Sequence, residues 1–321
     1  VDPFIALTDK NWFDYLSSIS GAGRVDEVNF WSPKAQRPMK QMQPGEPVFL
    51  RLKSPHQAIA GYGFFAHFSL LELDLAWDTF GPKNGAPTRE LFLQRLGAYR
   101  GAGARDPALF ATKLGCTILR GVAFWPRTRW IPWGEAEGWH SNIVQGKSEA
   151  DPARASRLIA ELAHDSVAAP EDLAQQFELL DSDEREFVTS STRQREGQGA
   201  FRTRLLDAYD RRCAITGERT EPVLDAAHIQ PYLGPRSSHI QNGLLLTKEF
   251  HVLFDKGLVT VTPDLQVRVS RAIRERWTNG RRFYEHDGRQ LSVLPSNSAH
   301  QPSPAALRWH NERVFERGFV A

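Results

Sequence analysis

The sequence predicts an α+β protein: a small, strongly curved sheet with helices, a helical joint, then a strand, loop, strand and helix near the C-terminus. Three observations carry this reading. At 321 residues the chain exceeds one ordinary domain, so two cores are expected. Its first half holds apolar, β-branched and aromatic runs bounded by Pro and Gly, the pattern of paired strands. Its second half opens on helical periodicity and then sets short apolar runs between Gly- and Pro-containing loops. The domains are expected at 1–147 and 190–321, with 148–189 joining them.

Each element has its own signal. "GEPVFLRLK" (Gly45–Lys53) and "AIAGYGFFAHFSLL" (Ala58–Leu71) read as paired strands, and "CTILRGVAFW" (Cys116–Trp125) as another. "TRELFLQRLGAYR" (Thr88–Arg100) opens on a Thr cap and continues as a helix. In the joint, Leu158, Ile159 and Leu162, then Leu173, Phe177 and Leu180 recur near helical spacing, with Pro152 and Pro170 as helix starts. "AFRTRLLDAYDRRC" (Ala200–Cys213) is an amphipathic helix with Phe201, Leu205, Leu206 and Tyr209 on one face. Val223–Ile229 and Asn242–Thr247 read as strands, and "KEFHVLFD" as the helix after them.

Composition narrows the class. No run approaches a membrane span and the N-terminus lacks a signal-peptide layout, so a cytoplasmic protein with no membrane partner is expected. Two cysteines, Cys116 and Cys213, build neither a disulfide framework nor a four-Cys zinc site. Charge is uneven: residues 148–189 carry eleven acids against three arginines, and residues 265–282 six arginines against Glu275. Within the basic run, Arg268, Arg271, Arg274 and Arg276 are candidates for phosphate contacts, with a merely solvated face as the alternative.

The segment Asp225–Asp255 concentrates chemistry. His228 lies on the first strand, Asn242 starts the second, and His251 lies on the helix. Histidine near its ordinary pKa can deprotonate water, provided its ring is held in place. Asp225 offers oxygen to a hard cation, and strand alternation sets it with Ala227 on the face opposite His228. Asp255, one turn after His251, can orient that ring. His239 falls in a Ser-rich loop and is expected to be exposed.

These residues, in the order "AAHI…NGLLL…H…LFD" with "AYDRRCAITG" before them, resemble the HNH or ββα-metal nucleases from Phe201 to about Leu265, and more loosely over "LRWHNERVF" (Leu307–Phe315). The resemblance implies His228 as general base, Asn242 as the residue holding loop and base, and His251 with Asp225 as metal ligands. It implies a divalent cation, Mg²⁺ first, with Mn²⁺ or another transition metal able to substitute. Two departures stand out. Many HNH enzymes carry an acid or His directly before the base, where this chain has Ala227, and the knuckle partner of Cys213 is replaced by Thr216, so no structural zinc is expected.

The polar and aromatic opening "EVNFWSPK", the basic middle and the Gly-punctuated strands after it resemble the PUA superfamily, in its EVE and ASCH branches, over about residues 27–145. That resemblance implies a curved barrel that binds RNA or modified DNA bases. A pocket for an extruded base needs aromatic faces and a few polar groups. Asn29, Phe30, Trp31 and Ser32 are the first candidates, Trp125 and Trp130 the second, with Ser141, Asn142 and Gln145 as hydrogen-bonding groups. A base reader ahead of an HNH nuclease looks like the modification-dependent restriction endonucleases of bacteria. The expected partner is then double-stranded DNA carrying 5-methylcytosine or 5-hydroxymethylcytosine, flipped out for inspection. One active site per chain and two strands to cut favour a homodimer. Two alternatives stay open: a non-catalytic nucleic-acid-binding protein, and an HNH nuclease or nickase reading unmodified DNA.

Overall fold

The computed structural model describes residues 2–21, 23–35, 42–165, 170, 173, 177–180 and 196–316. It divides into two compact units, Val1–Leu173 and Ala174–Ala321. The protein is α+β in both. Among the described residues no helix is long and apolar enough to cross a membrane.

The first unit is built on a mixed sheet. Strand β1 (Phe4–Thr8) leads into helix α1 (Lys10–Ile19), and β2 (Arg24–Ser32), β3 (Pro47–Leu52) and β4 (Ala58–Leu71) follow. Helices α2 (Leu73–Phe80), α3 (Arg89–Arg100) and the single turn α4 (Pro107–Phe110) precede β5 (Leu114–Phe124). Short strands β6 (Ile131–Pro132) and β7 (Gly146–Ser148) and helix α5 (Pro152–His164) complete it. The strand order is β2-β5-β4-β3-β1-β7, with β6 on β4, and only β1 and β3 run parallel. β4 carries register shifts at Tyr62/Phe64 and Phe65/His67, and such bulges bend a strand and raise its twist. The curved concave face buries Trp12, Phe13 and Leu16 of α1 against Val28, Leu50, Phe65 and Phe124. The helix starts foreseen at the Thr88 cap and at Pro152 are present: Thr88 Oγ1 accepts the Leu91 N–H at 3.3 Å, and Asp151, just ahead of Pro152, accepts the Arg154 N–H at 2.8 Å.

Helix α5, placed in the joint by the sequence, packs within this unit. Arg129 reaches Asp165 at 2.8 Å and Glu161 at 3.4 Å, and the Trp125 indole N–H donates to Asp165 at 3.1 Å. The second predicted joint helix, starting at Pro170, lies largely outside the described residues. Its final stretch, 177–180, is not helical.

The second unit holds α6 (Gln198–Ala208), β8 (Leu224–His228), β9 (Gly243–Thr247) and α7 (Lys248–Asp255). A hairpin of β10 (Val259–Val261) and β11 (Val267–Val269) follows, then α8 (Ala272–Trp277), α9 (Arg281–Tyr284) and α10 (Pro304–Arg313). The strand, loop, strand, helix order is the predicted one. Helix α6 is shorter than its periodicity suggests, because Asp210 and Arg211 take left-handed backbone (φ 51° and 52°) and turn the chain out of the helix. Its apolar face, Phe201, Leu205 and Leu206, packs on the β8–β9 hairpin so closely that a Cβ at Gly243 would lie 2.6 Å from Leu205 and 2.7 Å from Phe201.

His239 departs from expectation: it is buried, stacked on Phe177 with ring centroids 5.8 Å apart, and its Nδ1 accepts the Gln241 N–H at 3.3 Å. The Ser-rich loop around it is covered by the strap at 177–180, whose Leu180 exchanges two hydrogen bonds with the Gln230 side chain at 3.0 and 2.8 Å. A loop that looks solvent-facing in sequence is thereby enclosed by a distant segment.

Candidate active site

In the second unit β8 with the loop after it, α7 and α10 frame a cleft of about 530 Å³ lined by Asp225, His228, Tyr232, His251, Asp255 and Lys256. Four residues of the predicted motif, Asp225, His228, His251 and Asp255, therefore meet in one cavity.

His228 closes β8 opposite Gly243. Its ring stacks on Phe201 with centroids 4.2 Å apart and 16° between planes, and meets Tyr232 edge-on at 5.9 Å. Rings at such distances restrain the imidazole orientation, and α6 therefore positions the first histidine through Phe201. Asn242 is fully buried, and its side chain bonds the backbone of Gln230, two residues beyond His228. Its Oδ1 accepts the Gln230 N–H at 2.8 Å, while its Nδ2 donates to the carbonyls of Gln230 and Ser237, both at 2.9 Å. It ties the exit of β8 to the loop and is a positioning residue, holding the backbone that carries His228.

His251 lies between two carboxylates. Nδ1 is 2.9 Å from Asp225 Oδ2, and Nε2 is 3.4 Å from Asp255 Oδ2, longer than a full hydrogen bond. Arg202 of α6 reaches the other Asp225 oxygen at 3.1 Å and the Leu224 carbonyl at 2.9 Å. Burial alone raises the Asp225 carboxyl. The hydrogen bond and charge of His251, the charge of Arg202 and the Ala226 N–H outweigh it and hold Asp225 below its ordinary range. Asp225 is thus an anion with a fixed direction.

This donor set suits a divalent cation. A carboxylate oxygen and an imidazole nitrogen 2.9 Å apart match two adjacent ligands of an ion with bond lengths of about 2.1 Å, which places such ligands about 3 Å from each other. With Nδ1 facing the ion, the Nε2–H points to Asp255, the arrangement by which a carboxylate fixes a ligand's tautomer. Among the described residues no three His, Cys, Asp or Glu side chains form a ready cage. Water and substrate oxygens must supply the remaining positions, a habit of Mg²⁺.

At the wall of the cleft, which His310 and Val314 also line, α10 is latched to α7 and β10. His310 stacks on Phe254 at 3.7 Å, its Nε2 faces the Phe254 carbonyl at 3.2 Å, and its Nδ1 lies 2.7 Å from Thr260 Oγ1. Burial pushes the His310 pKa down to about 4, against a smaller opposing effect of the Phe254 carbonyl. The neutral ring donates from Nε2 and accepts the Thr260 hydroxyl at Nδ1. Cys213 is buried, and its sulfur accepts the Thr216 N–H at 3.4 Å.

The predicted arginines are exposed, each in its own surroundings. Arg268 faces Asp287 at 3.5 Å, Arg274 lies 4.7 Å over the Tyr284 ring, Arg271 precedes α8, and Arg276 borders a separate cleft.

In the first unit a second cavity, of about 350 Å³, is lined by Phe30, Trp31 and Ser32 together with Asp9, Lys53 and Tyr99. Gln145, foreseen as a polar group, also reaches it. Trp31 is held by its indole N–H, which donates to the Asn84 carbonyl at 2.8 Å, and by edge contacts with Phe92 and Tyr99. Lys53 donates to the Tyr99 hydroxyl at 3.1 Å, and that hydroxyl donates to Asp9 at 2.8 Å. The other candidates are elsewhere. Asn29 is buried, with its amide N–H bonded to Asn84 at 2.9 Å. Trp125 is core, and Trp130 packs on Phe13 and bonds the Trp125 carbonyl at 3.0 Å. Ser141 and Asn142 are exposed and do not line the cavity. Asp9, Lys53 and Tyr99 were missed because each has an ordinary reading: Asp9 caps α1, and the other two look like surface residues.

Comparison with known proteins gives one family match: residues 213–262, from Cys213 through β10, match the HNH endonuclease family. No curated protein matches the sequence. Among solved structures, ASCH from Zymomonas mobilis is 12% identical with a TM-score of 0.33, covering 50% of this chain and 94% of its own. A serine-to-alanine mutant of the same Zymomonas mobilis protein gives 11% and 0.34, covering 50% and 96%. A modification-dependent TagI restriction endonuclease is 14% identical with a TM-score of 0.27, covering 90% of this chain and 75% of its own. Scores this low carry no inference about the present chain.

Proposed function

We propose that this protein is a metal-dependent DNA endonuclease that reads a modified base and hydrolyses a phosphodiester bond nearby. The observation that carries the nuclease is the single cleft that His228 lines together with Asp225, His251 and Asp255, inside the segment matching HNH endonucleases. His228 takes the proton of the water that attacks phosphorus, and the P–O bond to the leaving oxygen breaks. Phe201 and Tyr232 keep its ring in place, and Asn242 keeps its backbone in place. Asp225 and His251 hold the cation, Mg²⁺ first, whose contribution when bound is to neutralise charge gathering on the phosphate. Asp255 orients His251.

The base reader is assigned to the cavity at Trp31. A ring clamped between Phe92 and Tyr99 offers a rigid stacking face, and Asp9, Lys53, Ser32 and Gln145 supply donors and acceptors for a base edge. Cytosine modified at C5 is the proposed target, reached by base flipping. Cutting both strands calls for two copies of the chain on one duplex, and the setting proposed is defence against foreign DNA in the bacterial cytoplasm.

The test is cleavage of matched duplexes that are unmodified or carry 5-methylcytosine, 5-hydroxymethylcytosine or N6-methyladenine, with Mg²⁺ or Mn²⁺ and with His228→Ala as control. Cutting confined to one modified duplex and lost in the variant is the expected result. Equal cutting of all four refutes the base reader, and no cutting of any refutes the nuclease.

A further inference from the structure

Behind α7 lies another cleft, of about 940 Å³, bordered by Lys256, Arg276, Trp277, Arg281, Arg282 and Phe283. Its composition is unlike an ordinary surface groove. Four cations border it and no acidic side chain does, although Glu249 pairs with Arg282 at 2.7 Å from outside. Among the described residues neither Arg276 nor Arg281 forms an ion pair. Trp277 is 55% exposed, an indole left in water among those cations. The turn that gathers them depends on Gly280: its φ is 94°, and a Cβ there would lie 2.5 Å from Ile273. Trp277 at the end of α8 and Arg281 at the start of α9 are thereby brought to one mouth.

Position supplies the second argument. Lys256 borders both this cleft and the His228 cleft, so the two cavities adjoin across a single side chain at the end of α7. We infer that the cleft seats an unstacked nucleotide of the DNA strand being cut, with Trp277 against the base and Arg276, Arg281 and Lys256 on the flanking phosphates. This rests on the nuclease reading above. Aromatic faces accept any base, and cations around one exposed ring follow a backbone; together they form a single-strand platform instead of a sequence reader. The cavity is large enough for a nucleotide and its neighbours.

The experiment is fluorescence anisotropy of the full chain in EDTA with labelled duplexes that are blunt or carry a short single-stranded overhang. Overhang DNA is expected to bind more tightly, and Trp277→Ala to remove that margin with a loss of about five- to hundredfold, partly restored in Trp277→Phe. Because the side chain is mostly exposed, the thermal transition of the variant should match the native one. Arg281→Ala with Arg276→Ala should lower the slope of log affinity against log salt by about 1.4 to 1.8. An overhang preference and salt slope that survive these changes overturn the proposal. Cutting by His228→Ala at the native rate would instead remove the nuclease reading, and the binding data, taken without metal, would still decide the cleft.

Discussion

His310 links acidity to the support of the candidate centre. In the folded protein its pKa is about 4, against 6.5 for the free side chain, because burial penalises the charged ring. The unfolded chain therefore binds a proton between those values that the folded chain refuses. Stability contributed by the neutral ring is complete above pH 6.5 and falls as pH drops towards 4. Each tenfold gap in proton affinity is worth about 1.4 kcal/mol, so the whole loss is about 3 kcal/mol, a large share of an ordinary domain's stability. What loosens is specific: α10 is held to the Phe254 carbonyl of α7, the helix that carries His251 and Asp255. The assay is denaturant unfolding of native and His310→Gln proteins at intervals from pH 4 to 8, with the histidine ring signals followed by NMR. The difference between the two stabilities should shrink by about 3 kcal/mol as pH falls, and the His310 resonance should titrate near 4. A ring that titrates near 6.5, or a difference flat with pH, refutes the reasoning.

Three further outcomes follow from the same geometry. Asp225→Asn removes the charge that His251 and Arg202 share, and cleavage should drop by about a hundredfold or more while DNA affinity in EDTA holds; activity within threefold of native would mean Asp225 is dispensable. Asn242→Ala leaves the Gln230 N–H and two carbonyls without their buried partner, which should cost about 3 kcal/mol in urea unfolding and lower kcat more than it raises KM. Gly243→Ala forces Leu205 and Phe201 aside, for a loss of about 1–3 kcal/mol and a fall in kcat as the ring under His228 shifts; an unchanged kcat would show that Phe201 does not position that histidine.

How much of this the sequence disclosed depended on how local the signal was. The strand, loop, strand, helix order, the helix starts at Thr88 and Pro152, and the gathering of Asp225, His228, His251 and Asp255 were legible because each follows from residues close together in one periodic segment. His239 was misjudged because what buries it, Phe177, is contributed from more than sixty positions away. Of the six base-pocket candidates, Phe30, Trp31 and Ser32 line one cavity while Asn29, Trp125 and Trp130 lie elsewhere, for a related reason. Trp31 stood out by its polar neighbours, but composition cannot tell a tryptophan facing a cavity from one whose N–H is spent on a structural carboxylate, as Trp125's is on Asp165. Asp9, Lys53 and Tyr99 come together from three separate elements, and no spacing rule announces such a meeting.

The departure at Ala227 has a structural reason. Alternation sets Asp225 and Ala227 on one face of β8 and His228 on the other, yet Asp225 and His228 both line the cleft and Ala227 is fully buried. The β8–β9 ribbon is two-stranded and only five residues long, and isolated pairs twist more than strands in wide sheets. Helix α7 packs against both strands, and its His251 and Asp255 share the cavity with Asp225 and His228. Position 227, pinned under the core, cannot present a side chain to that cavity, and an acid there would be an uncompensated buried charge. Asp225, with a third of its side chain exposed, reaches His251 from two residues back. The β8 carboxylate that accompanies His228 in the cleft is therefore Asp225, whose distance from it in sequence is a consequence of which position remains open to the cavity.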